Sequence, residues 1–263
     1  MSPKTKRIIL FVVSILSVIA LSPRRSLAQD TSFDEDENTL PQKGHPGFFA
    51  AGSFYLQTFS PDLTPFNDKI TEMGIGKLNP IIVQYGVNAF GSVQKKWRIG
   101  LFYYAGNSST SGTTYDSVYG FRGVYGFDKT AKVSVKGGGI STGYRITLPK
   151  SFELEPSLWL GMTFIDVELS QTDSRVDWNE VWFGYRDYAG TIQETISSYY
   201  VFAQPGIIVR YYPRSWVAVG LGAQYIVPIT KANSWTLAGY KVRNAPTFDP
   251  SSVSTMLIVS FGI

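Results

Sequence analysis

Residues 251–263, SSVSTMLIVSFGI, alternate without a break. Val253, Thr255, Leu257, Val259, Phe261 and Ile263 fall on one face of an extended strand; Ser252, Ser254, Met256, Ile258, Ser260 and Gly262 fall on the other. A strand that is apolar on one face, small or polar on the other, and runs to the last residue of the sequence is what closes a membrane β-barrel.

Seven upstream segments repeat the pattern, at 48–57, 81–90, 97–106, 140–148, 152–164, 201–211 and 217–227. Each is close to the roughly 9 to 11 residues that a tilted strand needs to cross a bilayer. The connections alternate long and short, with short ones at 93–96, 149–151 and 213–215 and long ones at 60–80, 107–135, 168–198 and 228–250. That rhythm predicts short periplasmic turns at one end and long external loops at the other. The expected fold is all-β: an eight-stranded antiparallel up-and-down transmembrane β-barrel, with ten strands if the second long loop hides a hairpin. Because lipid offers no partner to an open sheet edge, the first and last strands should pair.

Local features qualify the pattern. Gly137, Gly138 and Gly139 separate two apolar phases and predict a bulge that shifts parity. Pro156 and Pro205 each remove a ladder donor in mid-strand and predict bulges or a locally open ladder. A soluble secreted sandwich or barrel is the rival reading. It would need its polar faces to meet water, whereas those faces are rich in Gly, Ala, Ser and aromatics and suit a small packed lumen.

The N-terminus specifies export. Lys4, Lys6 and Arg7 precede an apolar run from Ile8 to Leu21, and Ser26-Leu27-Ala28 ends in a small residue, so residues 1–28 read as a signal peptide cleaved near Ala28. Residues 29–46 read as a disordered acidic lead-in on the periplasmic side, and 47–263 as the barrel domain. The Asp34–Glu37 run lacks the spaced ligands and glycine turn of a calcium loop. Removal of residues 1–28 leaves 24 − 5 = 19 bases against 20 acids, so the mature chain is near neutral and nucleic acid is not an expected partner. With 0 cysteines, thiolate metal sites and cysteine nucleophiles are excluded, and no cofactor or metal is expected.

Five charged residues face inward near the short-turn end: Arg98, Arg145, Glu153, Glu155 and Arg210. Buried charges are costly unless paired, so they read as a mutually satisfying Arg–Glu network that plugs the lumen. The functional alternative is a selectivity constriction in a narrow channel for ions or small solutes. Eight strands enclose just enough room for side chains, which favours the plug. Further inward polar positions are Gln84, Asn88, Gln204 and Gln224. The one histidine, His45, lies in the lead-in, so no Ser–His arrangement is available, and a lipid-modifying enzyme is the third reading.

External loops are where specific function is grafted. The first carries Thr64-Pro65 as a helix start and Gly74 as a stop, with Phe66, Ile70 and Met73 on one side, a short helix that caps the rim. The second carries Tyr115, Tyr119, Phe121, Tyr125 and Phe127; the third carries Trp178, Trp182, Phe183, Tyr185 and Tyr188. These aromatics extend strands, mark the outer interface or form a surface for an external ligand or protein.

The alternating strands, the loop rhythm and the closing Val259-Ser260-Phe261-Gly262-Ile263 resemble the small outer-membrane β-barrels of Gram-negative bacteria, the class that includes OmpA-type and OmpX-type domains. The resemblance implies localisation in the outer membrane, contact with its lipid, a monomeric state, and recognition of Leu257, Val259, Phe261 and Ile263 by the barrel-assembly machinery. Terminal Ile263 departs from the usual aromatic ending. The functional expectation is a non-enzymatic barrel with a plugged lumen and a structural or surface-interaction role.

Overall fold

A computed structural model describes residues 48–93, 96–117, 124–173, 192–214 and 216–262. The signal segment, the lead-in with His45, Ile263, and the loop aromatics Tyr119, Phe121, Trp178, Trp182, Phe183, Tyr185 and Tyr188 lie outside them.

The strands are β1 (Phe48–Phe59), β2 (Ile82–Val93), β3 (Trp97–Ser117), β4 (Val124–Tyr144), β5 (Ile146–Leu148), β6 (Phe152–Asp173), β7 (Ile192–Arg214), β8 (Val217–Pro228), β9 (Thr236–Leu237), β10 (Tyr240–Lys241) and β11 (Ser252–Phe261). A single helix among the described residues, α1 (Thr64–Glu72), follows β1. Pairing runs β1-β2-β3-β4-β6-β7-β8-β11, with β5 continuing β4 along β6, and β11 returns to β1. Eight antiparallel strands therefore form a closed ring. β9 and β10 are a small hairpin laid on the outer edge of β7.

The register fixes the shape of the ring. From Gln57, one ladder row passes through Gln84, Gly106, Val135 and Ile165 to Ser198 on β7; in the other direction it passes through Met256 and Gly222 to Ile208, and 208 − 198 = 10 residues. With strands about 4.8 Å apart and a rise of about 3.4 Å per residue, that stagger tilts the strands by about 41° around a radius of about 8 Å.

The sequence alternation sorts the side chains. Leu101 and Leu221 are each 66 % exposed on the outside, in a band with Phe54, Val87, Ile99, Ile207 and Val253. Aromatic pairs border this band. Trp97 meets Tyr144 at 5.2 Å and Phe152 meets Tyr211 at 5.1 Å at the short-turn end, while Phe164 and Tyr199 lie 6.4 Å apart at the other. From Phe152 to Phe164 is 12 residues of β6; at that tilt they climb about 30 Å, the thickness of a bilayer's hydrocarbon core. An outward apolar face excludes the soluble-barrel reading, whose outer face would have to be polar.

Two expectations are corrected. First, β3, β4, β6 and β7 are 21, 21, 22 and 23 residues long, so much of the stretches 107–135 and 168–198 is strand rather than loop. The ring has eight strands and not ten, because the extra length prolongs existing strands. Second, β4 keeps one register with β3 and with β6 through Gly137, Gly138 and Gly139, so no bulge lies there. The apolar phase changes because the surroundings invert. Within the band Ile140 points outward; above it Ala131, Val133 and Val135 point inward, while Lys136 meets Asp166 at 3.0 Å on the outside. Of the two forms expected at the prolines, the structure has the open ladder: neither makes a bulge on the β6–β7 ladder, where both are paired. The β4–β6 ladder is open opposite Pro156, between the Gly143 and Ile146 pairs, and the β7–β8 ladder is open at Gln204 and Pro205.

α1 starts at Thr64-Pro65 and gives way to Gly74 at φ +82, as its sequence indicates. Asp62 accepts a hydrogen bond from the Thr64 amide at 3.0 Å, and Thr64 holds its carboxyl below the usual carboxylate range. Ile70 is buried, and Phe66 stacks edge-on to Trp235 at 5.4 Å and near Phe248 at 5.9 Å. Trp235 donates its indole N–H to the Pro246 carbonyl at 2.8 Å. The loop after β8 and the helix after β1 thereby form one apolar cap over the outer end of the ring. At the base of that loop, partial burial would raise the pKa of Asp249, but hydrogen bonds from Ser251 and Lys231 lower it.

Candidate functional site

Inward positions of small barrels are filled by side chains. Here four of the aromatic inward groups face a glycine on the next strand. Tyr55 pairs with Gly86, Phe102 with Gly139, Tyr104 with Gly137 and Phe202 with Gly161. A Cβ at Gly86 would lie 2.3 Å from the Tyr55 ring, so the ring can lie across the neighbouring strand only because that residue is glycine.

Near the short-turn end the five predicted charges meet. Arg98 donates to Glu153 Oε1 at 2.5 Å and Oε2 at 3.2 Å and also binds Glu155; Arg210 binds Glu155 and lies 3.4 Å from Glu153; Arg145 pairs with Glu153. Glu153, 1 % exposed, is the hub of this cluster. Tyr212 completes it, receiving a hydrogen bond from Arg98 at 2.8 Å and donating one to Glu153 Oε2 at 2.8 Å. Phe90 lies under both guanidinium groups, 5.0 Å from Arg98 and 6.0 Å from Arg210.

The charged residues were legible from strand parity alone. Tyr212 was missed because the apolar alternation reads as ending at Tyr211, although position 212 continues the inward series 202, 204, 206, 208, 210. Phe90 was legible as inward, but not its place beneath two arginines.

Beside the network, position 143 has room only for glycine. A Cβ there would lie 2.5 Å from Glu155 Oε1 and 2.8 Å from its Cδ, and Glu155 is pinned by two arginines. Gly143→Ala is therefore expected to cost about 1–3 kcal/mol of overpacking, read as a lower urea midpoint for protein reconstituted in lipid vesicles. An unchanged midpoint would mean that Glu155 is free to swing away.

Above the network the lumen becomes aromatic. Trp159 sits 5.3 Å from Tyr55 and 4.6 Å from Phe102, all buried. Tyr104 shares a 2.5 Å hydrogen bond with Thr163. The predicted polar residues Gln84, Asn88, Gln204 and Gln224 are all inward and buried, with Gln204 donating to Gln224 at 2.7 Å and Ser141 to Asn88 at 3.4 Å. Higher still come Phe59, Ile82, Val135, Ile165 and the cap. Of the closing-strand residues, Leu257, Val259 and Phe261 face outward as read from the alternation.

A closed antiparallel ring with an apolar outer band, aromatic borders and a filled interior has the architecture of a small membrane β-barrel. Solved structures similar to the chain belong to that class. Ail of Yersinia pestis is 13 % identical, with 82 % of this chain and 99 % of that one covered and a TM-score of 0.38. OprG of Pseudomonas aeruginosa is 12 % identical over 82 % and 96 %, with a TM-score of 0.42, and Neisserial surface protein A is 13 % identical over 84 % and 100 %, with a TM-score of 0.37. Likenesses this distant say nothing about function. No protein-family model matches the chain, and no curated protein matches it.

Proposed function

We propose that the protein is an eight-stranded up-and-down transmembrane barrel that does not conduct and has no catalytic role, and that it acts through the sheet it presents above the outer membrane. One observation carries this reading: the interior is filled from the Glu153 network through Trp159 to the α1 cap, so function has to reside outside it. Residues 1–28 serve as the secretion signal, and Leu257, Val259, Phe261 and Ile263 serve the barrel-assembly machinery. The barrel is a monomer in contact with outer-membrane lipid.

The continuations of β3, β4, β6 and β7 rise about 25 Å above the band as one four-stranded sheet. Its two edges differ. β7 is covered by β9 at Ile196 and Ser197, whereas β3 has no strand partner on its other side beyond Asn107. That stretch, residues 108–117, is touched by the 74–79 segment, with Ser108 donating to the Asn79 carbonyl at 3.0 Å, but it holds neither Lys nor Pro and a single charge, Asp116, to block its edge. It suits the addition of an extended polypeptide strand from a partner.

Planar-bilayer recording tests the closed lumen. No unit conductance is expected; reproducible conductance that changes on Arg98→Ala would replace this reading with a channel. The edge is tested by panning reconstituted barrels against a peptide library. β-prone peptides should be enriched on the natural protein and lost on Ser109→Lys/Ser111→Lys, and equal enrichment on both would remove the edge from the proposal.

A further inference from the structure

The stagger of the ring brings together polar side chains that are far apart in sequence. At a tilt of about 41°, moving one strand along a ladder row changes height by about 3 Å, and one residue along a strand changes it by about 2.6 Å. Take Gln57 as the reference level. Its row partner Gln84 lies about 3 Å higher, Ser254 about 2 Å higher, Gln204 about 1 Å higher and Gln224 about 1 Å lower, on the ladders described above. Five polar side chains from five consecutive strands, β7, β8, β11, β1 and β2, thus form a half-belt at one height inside the ring.

All five are at most 3 % exposed. Beyond the bond between Gln204 and Gln224, four of their polar atoms have no protein partner: Gln57 Oε1, Gln84 Oε1, Gln224 Nε2 and Ser254 Oγ. A buried polar group left unpaired costs about 1–3 kcal/mol, so four on one level would together rival the whole stability of a domain. Layers above and below isolate the belt. Phe59, Ile226 and Phe202 lie on its outer side, and Tyr55, Trp159, Phe102 and Met256 on its inner side, all buried. The charged network, at Arg98, Arg210 and Glu155, is about 13–15 Å lower.

We propose that this half-belt is a binding site for a cluster of ordered water molecules sealed inside the barrel. The chemistry of the atoms selects the ligand. Two carbonyl acceptors, one amide donor and one hydroxyl need a partner that both donates and accepts, and the absence of charge at that level requires a neutral one. The close packing of aromatic and aliphatic groups on either side requires a small one. Water meets all three conditions, at the two to four hydrogen bonds per molecule usual for buried sites. The site is independent of whether the external edge binds a partner.

The test uses the full barrel in lipid nanodiscs. Water cross-peaks are expected in NMR spectra at the side-chain amides of Gln57, Gln84 and Gln224, and the one at Gln57 should disappear in Gln84→Leu. In the natural protein, X-ray radiolysis should also oxidise Met256, which is 2 % exposed but pairs with Gln57 on the ladder. Amides without water cross-peaks in the natural barrel overturn the proposal, whatever the variant does. So would Gln84→Leu raising the urea midpoint, since a dry, unpaired amide is one whose removal stabilises.

Discussion

Glu153→Ala is expected to lower the unfolding free energy by about 3–5 kcal/mol, the cost of breaking a buried ion pair by removing one partner. Glu153 serves Arg98, Arg145, Arg210 and Tyr212 at once. Its loss leaves Arg98 and Arg210 sharing the single carboxylate of Glu155 and takes from Arg145 its partner in the network. The hydrogen bond from Tyr212 is lost with it. Equilibrium urea unfolding in lipid vesicles, followed by tryptophan fluorescence, measures the effect. Glu155→Ala should cost less, because Glu153 then still reaches all three arginines. A loss below about 1 kcal/mol for Glu153→Ala would mean that the network is solvated from the short-turn end rather than buried, as surface ion pairs are.

Trp159→Ala is expected to be about as damaging, roughly 3–5 kcal/mol for removal of a fully buried indole whose surroundings cannot collapse. The cavity would open between Tyr55 and Phe102, both held by their own strands. The variant should nevertheless stay silent in planar bilayers, since the Arg–Glu network closes the lumen below Trp159 and the α1 cap closes it above. A loss of stability without conductance supports a lumen sealed in layers. Conductance in Trp159→Ala would place the whole seal in one aromatic layer and make the network a gate.

The lumen was more legible in the sequence than the external sheet, for a physical reason. In the membrane, lipid outside and packed side chains inside impose a strict period of two, so the facing of Arg98, Glu153 and Leu221 follows from parity. Above the membrane that constraint vanishes. The stretch Asn107–Ser117 is Ser-, Thr- and Gly-rich and looks like loop, yet it is strand because β4 lies beside it in unbroken register from Trp97 to Ser117. The same loss of constraint explains Gly137–Gly139, where a change of surroundings imitates a change of backbone parity.

Periodicity, loop rhythm and the placement of charge sufficed to read a closed antiparallel ring, its outward apolar face and the five charges turned inward. These depend only on which neighbours along one strand share a face. Height is the quantity that appears only once the ring is closed. The ten-residue stagger sets which side chains from different strands meet at one level, and so it makes Glu153 the hub, adds Tyr212 and Phe90 to the network, and gathers Gln57, Gln84, Gln204, Gln224 and Ser254 into one belt. No single strand carries that information, because stagger is a property of the closed ring.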